Sequence, residues 1–424
     1  MSKRVFVLGL DGFPYSFLCN KYVNNVMPYF SLLCNSYKAQ KLKSVYPVVS
    51  SVAWTSFATG GNPGEHNIFG FTDRNCNPFN ITIPTSKNRR KKPIWSSLKT
   101  QKKKIVINVP ITYPPESING YMVSCFLCTD INNASFPKEF ASYLKENEYI
   151  IDVDAWLVRT DPLAFIRQLI KAMDKRFEIA NKLLSEDWDY FQLHIMETDR
   201  LLHFFIDHVL KTSNDELHPL IDEFFRKLDK HIFLMVNSLI SNSAIIVLSD
   251  HGFCPIKEEV QLNRWLENNN YLILSNSKQL QDYDRRTICY ALTPGRIYLN
   301  LRGREERGSV SNDFVAVRNE IRDKLDNWYH PVSGEKIIDK IFFSEEIYSG
   351  EYRYQSPDII VHPNNGYDLK SDVSYGGLFT KSDLRGMHTY DDAMIMGINI
   401  DISKIKNIDE VYYSIKDYIE DGIF

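Results

Sequence analysis

Metal-ligating side chains stand at the ends of several apolar runs in this chain. "VFVLGLDG" delivers Asp11 just after Val5–Leu10, and "IIVLSDHGF" delivers Asp250 and His251 just after Ile245–Leu248. "YFQLHIMETDRLLHFF" follows a third run with Asp199 and His203, and "LRGMHTYDD" carries His388 in a glycine-containing loop. Each has a plain structural reading alone: a helix cap, a surface pair on a helix, a solvated loop side chain. Together they supply three carboxylates and three imidazoles, enough for two sites for borderline divalent cations. The spacing of Asp199 and His203 puts both on one face of a helix turn, where they can share one ion.

A nucleophile is the remaining requirement. "SVYPVVSSVAWTSFATGG" passes from an extended stretch with Pro47 into a helix-like run, with Ser50 and Ser51 at the junction. Ser favours the N-cap, where its hydroxyl satisfies a free backbone N–H. The same geometry suits catalysis. A helix N-terminus stabilises an anion, and a hydroxyl ionised beside a metal can attack phosphorus. The residues alone leave both readings open.

These side chains need elements to position them. The chain has 424 residues, 44% hydrophobic and 24% charged, which allows one large domain with insertions or two domains. Val5–Leu10, Ile105–Val109, Tyr190–Ile195 and Ile245–Leu248 read as strands. Pro162–Leu184, Leu217–Leu239 and Phe314–Leu325 carry apolar residues at helical spacing, with Pro162 suited to a first turn. The alternation predicts an α/β fold: a mostly parallel central sheet with helices on both faces and a smaller cap or insertion. In such sheets ligands sit outside the carboxyl ends of the strands. The expected organisation is a core over 1–253, a cap region over 254–385 whose strands return to the core, and a final core segment over 386–424 carrying His388. "GRIYLNL" reads as a strand of the cap region.

The formal net charge of -3 gives no argument for nucleic acid or a membrane surface. The first apolar run is too short for a leader, and no run approaches a membrane-spanning length. Seven scattered cysteines read as reduced thiols in the cytoplasm; the pair in "CFLC", Cys125 and Cys128, lacks the second pair a zinc ribbon needs. Of two basic stretches, "KNRRKKP" could draw in an anion or be an exposed loop, while "KKK" at Lys102–Lys104 reads as a solvated approach to a strand. Arg296, Arg302 and Arg304 are a candidate phosphate or carboxylate clamp or solvated turn residues, and Trp54 and Tyr113 are candidates for stacking on a base or for packing.

In order along the chain, "GLDG", "AWTSFATGGNPGEHNIFGF", "INVPITYPPESINGYMVS", "ETDRLLHFF", "SDHGF", "LNLRGREERGSV" and "GMHTYDD" resemble the alkaline phosphatase superfamily, and within it the type I phosphodiesterase/nucleotide pyrophosphatase branch. The resemblance spans most of the chain and implies an alkaline phosphatase-like core with two divalent ions, zinc or manganese, about 4 Å apart. It implies that Asp11, Ser50, Asp250 and His251 hold the nucleophile's metal and that Asp199, His203 and His388 hold the second. Ser50 matches the nucleophile because of its place before the Thr59 of "TG"; Ser51 is the alternative if the register slips by one. Three departures stand out. Phe71 occupies the place where pyrophosphatase members carry an Asn that contacts a phosphoryl oxygen. Asn67 replaces a usual Gly but tolerates positive φ. Thr389 stands where related microbial members often carry Arg.

The resemblance implies hydrolysis of a phosphodiester or nucleotide-type pyrophosphate through a phosphoseryl intermediate. The substrate would be a small phosphorylated molecule such as a nucleotide or nucleotide-sugar. Alternatives are a phosphomonoesterase, a phosphotransferase or mutase using the same metals, and a non-catalytic metal-binding protein.

Overall fold

The protein is described by a computed structural model over residues 3–211, 216–275, 279–374, 376–381 and 383–420. In chain order, the strands that matter for the site are β1 (Val5–Leu10), β2 (Gln40–Leu42), β3 (Lys103–Ile107), β4 (Gly120–Val123), β5 (Ser135–Phe136), β6 (Trp188–Ile195), β7 (Ala244–Leu248), β8 (Gly252–Pro255), β9 (Gly386–Thr389) and β10 (Ala393–Ile398). All except β8 and β9 form one 8-stranded sheet in the order β2-β10-β7-β1-β6-β3-β4-β5. The strands from β7 across to β4 run parallel, and β10 and β5 are antiparallel to their neighbours. Every residue of β1, β6 and β7 is buried, because helices cover both faces; that is why these strands read as unbroken apolar runs.

The helices are α1 (Ser50–Thr59), α2 (Pro162–Leu183), α3 (Glu197–Lys211), α4 (His218–Leu239) and α5 (Glu410–Glu420). Phe6, Leu8 and Leu10 of β1 pack with α2, α3 and α4. The alternate residues Val5 and Val7 pack with α1 and α5 on the other face. Pro162 opens α2, with the Asp161 carboxylate accepting the Ala164 N–H as its cap.

A further apolar cluster lies within 260–369, built on the sheet of Cys289–Leu292, Arg296–Leu299, Ile359–Pro363 and Ile338–Phe343. The hairpin Asp73–Cys76/Phe79–Thr82 adds Phe79 to it. Buried Arg74 donates to the Tyr290 hydroxyl, to Glu305 at 3.1 Å and to the Gln355 carbonyl. Arg296 is fully buried and donates to the Thr72 and Thr293 carbonyls, and Arg304 grips Asp358 and Glu305. Arg296 and Arg304 therefore hold this cluster together, and exposed Arg302 lines a cleft of about 1120 Å³ that Arg74 and Arg304 also border. The "KKK" run also departs from expectation. Lys104 lies inside β3, 3% exposed, with its ammonium on Thr100 and Asp189 at 3.8 Å. No helix among the described residues is long and apolar enough to cross a membrane.

Candidate active site

Strands β1 and β7 lie side by side and end level, with Gly9 opposite Leu248, so the residues after them emerge together. Asp11 follows β1, and Asp250 and His251 follow β7. The Gly12 N–H donates to Asp250 Oδ1 at 3.1 Å. Gly12 has φ +67, and a Cβ there would meet the Phe253 ring at 2.4 Å, so only glycine fits this turn. Asp11, Asp250 and His251 are 1%, 0% and 0% exposed and offer ligand atoms within 4.8 Å of one another. Burial, and then the neighbouring Asp11 carboxylate, push the Asp250 carboxyl well above its ordinary range. Burial draws His251 down to about 3, so its imidazole is neutral. Asp250 Oδ2 is enclosed and makes no hydrogen bond. Adjacent carboxylates, a neutral imidazole and an orphaned oxygen are the donor set a divalent cation completes.

The second group is built from α3 and β9. Asp199 and His203 sit one turn apart on α3, directly after β6. His388 lies on a strand, not in the expected loop: β9 pairs antiparallel with β8, with Phe253 opposite His388. That ladder carries His388 back beside His251, and the two rings stack at 3.6 Å. His203 Nδ1 lies 2.9 Å from the Gly386 carbonyl, and His388 Nδ1 lies 3.3 Å from the Val48 carbonyl. A carbonyl only accepts, so each Nδ1 carries the proton and, in the neutral ring, each Nε2 keeps a lone pair. The two Nε2 atoms are 3.1 Å apart, and His388 Nε2 is 3.2 Å from Asp199 Oδ1. Converging lone pairs again fit a cation. Without one a proton takes its place: despite burial, the hydrogen bond to Asp199 raises His388. His203 and His388 in turn hold Asp199 far below the usual carboxylate range, against the opposing effect of burial.

Ser50 opens α1, and Val49, not Ser50, is the N-cap. The Ser50 hydroxyl is thus free of the capping role. Its Oγ lies 3.1 Å from Asp11 Oδ1 and 3.2 Å from His251 Nε2. Ser51 Oγ is buried and has no hydrogen-bond partner. The structure thus brings Asp11, Ser50, Asp199, His203, Asp250, His251 and His388 into two adjoining groups at the carboxyl edge of the sheet.

Other residues orient Asp11. Its Oδ2 accepts from Trp54 Nε1 at 3.1 Å and lies 2.8 Å from His194 Nε2, while its carbonyl accepts the Thr198 hydroxyl at 2.6 Å. Trp54 is therefore no stacking surface for a base: it is 0% exposed. Its sequence signal was the four-residue spacing from Ser50, one turn along α1. His194 gave none, lying inside an apolar strand. Tyr113 packs against the apolar layer beneath α2. Asn67 adopts φ 64, the conformation its replacement of glycine requires. A cleft of about 120 Å³ opens beside His203 and His388, walled by Val48, Val49, Ile360 and Leu369.

Residues 5–391 match the family described as type I phosphodiesterase/nucleotide pyrophosphatase. The chain belongs to this family. Among solved structures, this phosphodiesterase-family chain is similar to phosphonoacetate hydrolase from Sinorhizobium meliloti 1021 in complex with phosphonoformate, with 15% identity, 98% of this chain and 96% of that chain covered, and a TM-score of 0.65. It is also similar to murine ectonucleotide pyrophosphatase/phosphodiesterase 5, with 15% identity, 99% and 95% coverage and a TM-score of 0.58. At such identity the similarity establishes the fold, that of the alkaline phosphatase superfamily. A search of curated proteins finds no match.

Proposed function

We propose that this protein is a two-metal phosphohydrolase that cleaves a phosphodiester or nucleotide-type pyrophosphate, with Ser50 as nucleophile. The observation that carries the reading is the Ser50 hydroxyl, held at 3.1 Å from Asp11 and 3.2 Å from His251 at the start of a helix. Asp11, Asp250 and His251, with Ser50, would hold one divalent ion, and Asp199, His203 and His388 the other. Zinc suits these nitrogen and oxygen donors, and manganese suits the carboxylates. When bound, the ions would lower the pKa of the hydroxyl and offset charge on the phosphoryl and departing oxygens.

In the ion-free site the hydroxyl lies against Asp11 Oδ1 and His251 Nε2; with the ion bound those atoms would be its ligands, and the serine proton would pass to solvent. Ser50 Oγ bonds to phosphorus as the bond to the leaving oxygen breaks, and water then releases the phosphoryl group from the serine. The Val52 and Ala53 N–H groups already donate to the Val49 carbonyl; those of Ser50 and Ser51, which have no acceptor within the helix, would face developing negative charge on the phosphoryl oxygens. Trp54 and His194 fix Asp11 for this role. The family supports the diester reading, and murine ectonucleotide pyrophosphatase/phosphodiesterase 5 has been solved in complex with AMP. A monoester or phosphonate is the second reading, favoured by Phe71, which cannot donate a hydrogen bond to a phosphoryl oxygen. The unpaired cysteines fit a reducing compartment such as the cytoplasm.

The test compares wild type with Ser50→Ala on bis-p-nitrophenyl phosphate and p-nitrophenyl phosphate, with metal content determined for both. The expected result is faster diester cleavage by wild type and loss of at least about 1000-fold in the variant with metal retained. Faster monoester cleavage replaces the diester reading with the monoester one. A fully active Ser50→Ala rules out Ser50 as nucleophile.

A further inference from the structure

We propose that the arginine-lined cleft of about 1120 Å³ in the 260–369 cluster binds a compact polyphosphate, at a site apart from Ser50 and the two ligand groups. Its walls come from residues 74–77, the turn 301–304, the start of the helix Phe314–Asp326 and residues between 344 and 358. None of the seven residues grouped around Ser50 lines it, and it shares no residue with the small cleft beside His203 and His388. The proposal therefore stands without the phosphohydrolase reading.

Five arginines line the cleft: Arg74, Arg302, Arg304, Arg318 and Arg353. Three are engaged by carboxylates. Arg74 and Arg304 share Glu305, at 3.1 and 3.0 Å, and Arg304 also donates to Asp358 at 2.6 Å. Asp73, which does not line the cleft, lies 3.5 Å from Arg74. Arg318 donates to both Glu345 oxygens, one at 2.9 Å, and its guanidinium carbon lies 4.1 Å from the centroid of the Phe343 ring. These pairs fix three guanidinium groups and leave them little charge to offer. Arg302 and Arg353 differ. Both are exposed, and among the described residues neither side chain makes a hydrogen bond or an ion pair. Their backbones are nevertheless set. The Arg302 N–H donates to the Val310 carbonyl at 2.9 Å, and the Arg304 N–H closes the turn on the Leu301 carbonyl at 3.3 Å. Arg353 lies in the short turn of helix Glu351–Gln355, which Arg74 pins by donating to the Gln355 carbonyl at 3.0 Å. Two uncompensated guanidinium groups thus stand on anchored turns at one concave surface.

Guanidinium forks match the oxygens of phosphate and carry full charge at any physiological pH. The cleft is larger than the range of about 300–1,000 Å³ usual for small-molecule sites, so one orthophosphate would fill only a corner of it. A chain of phosphoryl groups can engage both free arginines. The basic surface does not extend beyond the cleft: exposed Glu306, Asp313, Glu346 and Glu351 flank the lining residues along the chain. A nucleic-acid backbone needs a continuous basic track, so the surroundings favour a compact polyanion. Tyr354, 63% exposed and next to Arg353, offers a ring on which a base can lie.

The test titrates magnesium tripolyphosphate and magnesium ATP into the zinc-loaded full chain carrying Ser50→Ala, with zinc content determined before and after. The same chain is compared with Arg302→Ser, Arg353→Ser and both together, by calorimetry and thermal unfolding. Each single substitution should weaken both probes about tenfold, and the pair about 100-fold. The probes should raise the unfolding midpoint of the parent but not of the doubly substituted chain. Midpoints without probe should stay level, because neither side chain has a partner to lose. ATP binding tighter than tripolyphosphate, with the gain lost in Tyr354→Ala, would support a nucleoside polyphosphate as the ligand; equal affinities would support recognition of the phosphate chain alone. Tripolyphosphate affinity in the doubly substituted chain within about threefold of the parent would put the binding elsewhere and overturn the proposal. If that chain is destabilised, the single variants decide by the same limit. A parent that binds neither probe at about 1 mM also overturns it, as does an oligothymidylate that binds more tightly than both. With Ser50 restored, ester hydrolysis should be unchanged by Arg302→Ser and Arg353→Ser, so failure of the nucleophile assignment and failure of this site are read separately.

Discussion

The two ligand groups use the same residue types but are held in different ways. Asp11, Asp250 and His251 are sealed from solvent, and Asp11 is fixed by an indole, an imidazole and a hydroxyl from three other elements. In Asp199, His203 and His388 the side chains keep 11%, 20% and 16% exposure, and both rings rely on main-chain carbonyls for orientation. The first group is enclosed, and its Asp11 is oriented by hydrogen bonds that need no ion. The second lies beside the small cleft and can exchange ligands with it. In the two-metal reading, the sealed group holds the nucleophile's ion tightly, and the open group holds an ion that meets solvent and substrate.

The sharpest way to break this contrast is to damage each group in turn. Asp250→Asn should lose the tightly held ion and reduce ester hydrolysis by at least about 1000-fold, checked by elemental analysis beside the rate assay. His388→Gln should lose only the second ion, with a drop of about 100-fold, and should abolish the fast phase of metal release to a chelator. Equal release rates for the two ions in wild type would erase the distinction. A smaller effect is expected from Trp54→Phe, which removes one hydrogen bond to Asp11. Metal affinity should fall about tenfold, as for other groups that orient ligands, while the fold is retained.

The metal-free protein sharpens the contrast through pH. His388 is raised by Asp199, so its ring should stay protonated through pH 6.5 and lose the proton above that. The stability from that pair is present below 6.5 and is lost as pH rises through the raised value. His251 is drawn down to about 3, so it should remain neutral until pH approaches 3. Between 6.5 and 3 the unfolded chain gains a proton that the folded ring refuses, and His251 destabilises the fold as pH falls. Nitrogen-detected titration of the two imidazoles checks both directions. Co-titration would show that their environments are alike.

Much of this arrangement was legible in local sequence. Buried parallel strands have no polar face, so β1, β6 and β7 stood out as apolar runs, and the carboxyl ends of such strands are where Asp11, Asp199 and Asp250 fall. Long-range pairing was not legible. β9 is the four residues "GMHT", too short to announce a strand, and its partner β8 lies on the far side of residues 256–385. Lys104 looked solvated because the three lysines run together, while Asp189, which with nearby Thr100 encloses its ammonium, is brought there by folding. Arg296 stands at the start of the strand-like "GRIYLNL" and Arg304 sits among turn residues, yet both guanidinium groups satisfy carbonyls and carboxylates inside the cluster over 260–369. His194 and Trp54 carry polar atoms into positions whose surroundings read as plain core.

The pairing of β8 with β9 also sets when the site comes into being. Asp11 is made well before His388, which arrives only after residues 256–385 have been translated. It reaches its partners only when β9 lies against β8, and β10 must slot between β2 and β7. Contacts of such sequence separation form late. A nascent chain lacking residues 386–398 therefore has Ser50 beside Asp11 but lacks His388, one of the three residues proposed to hold the second ion. On the phosphohydrolase proposal, attack on phosphate esters therefore waits on the translation and pairing of residues 386–398.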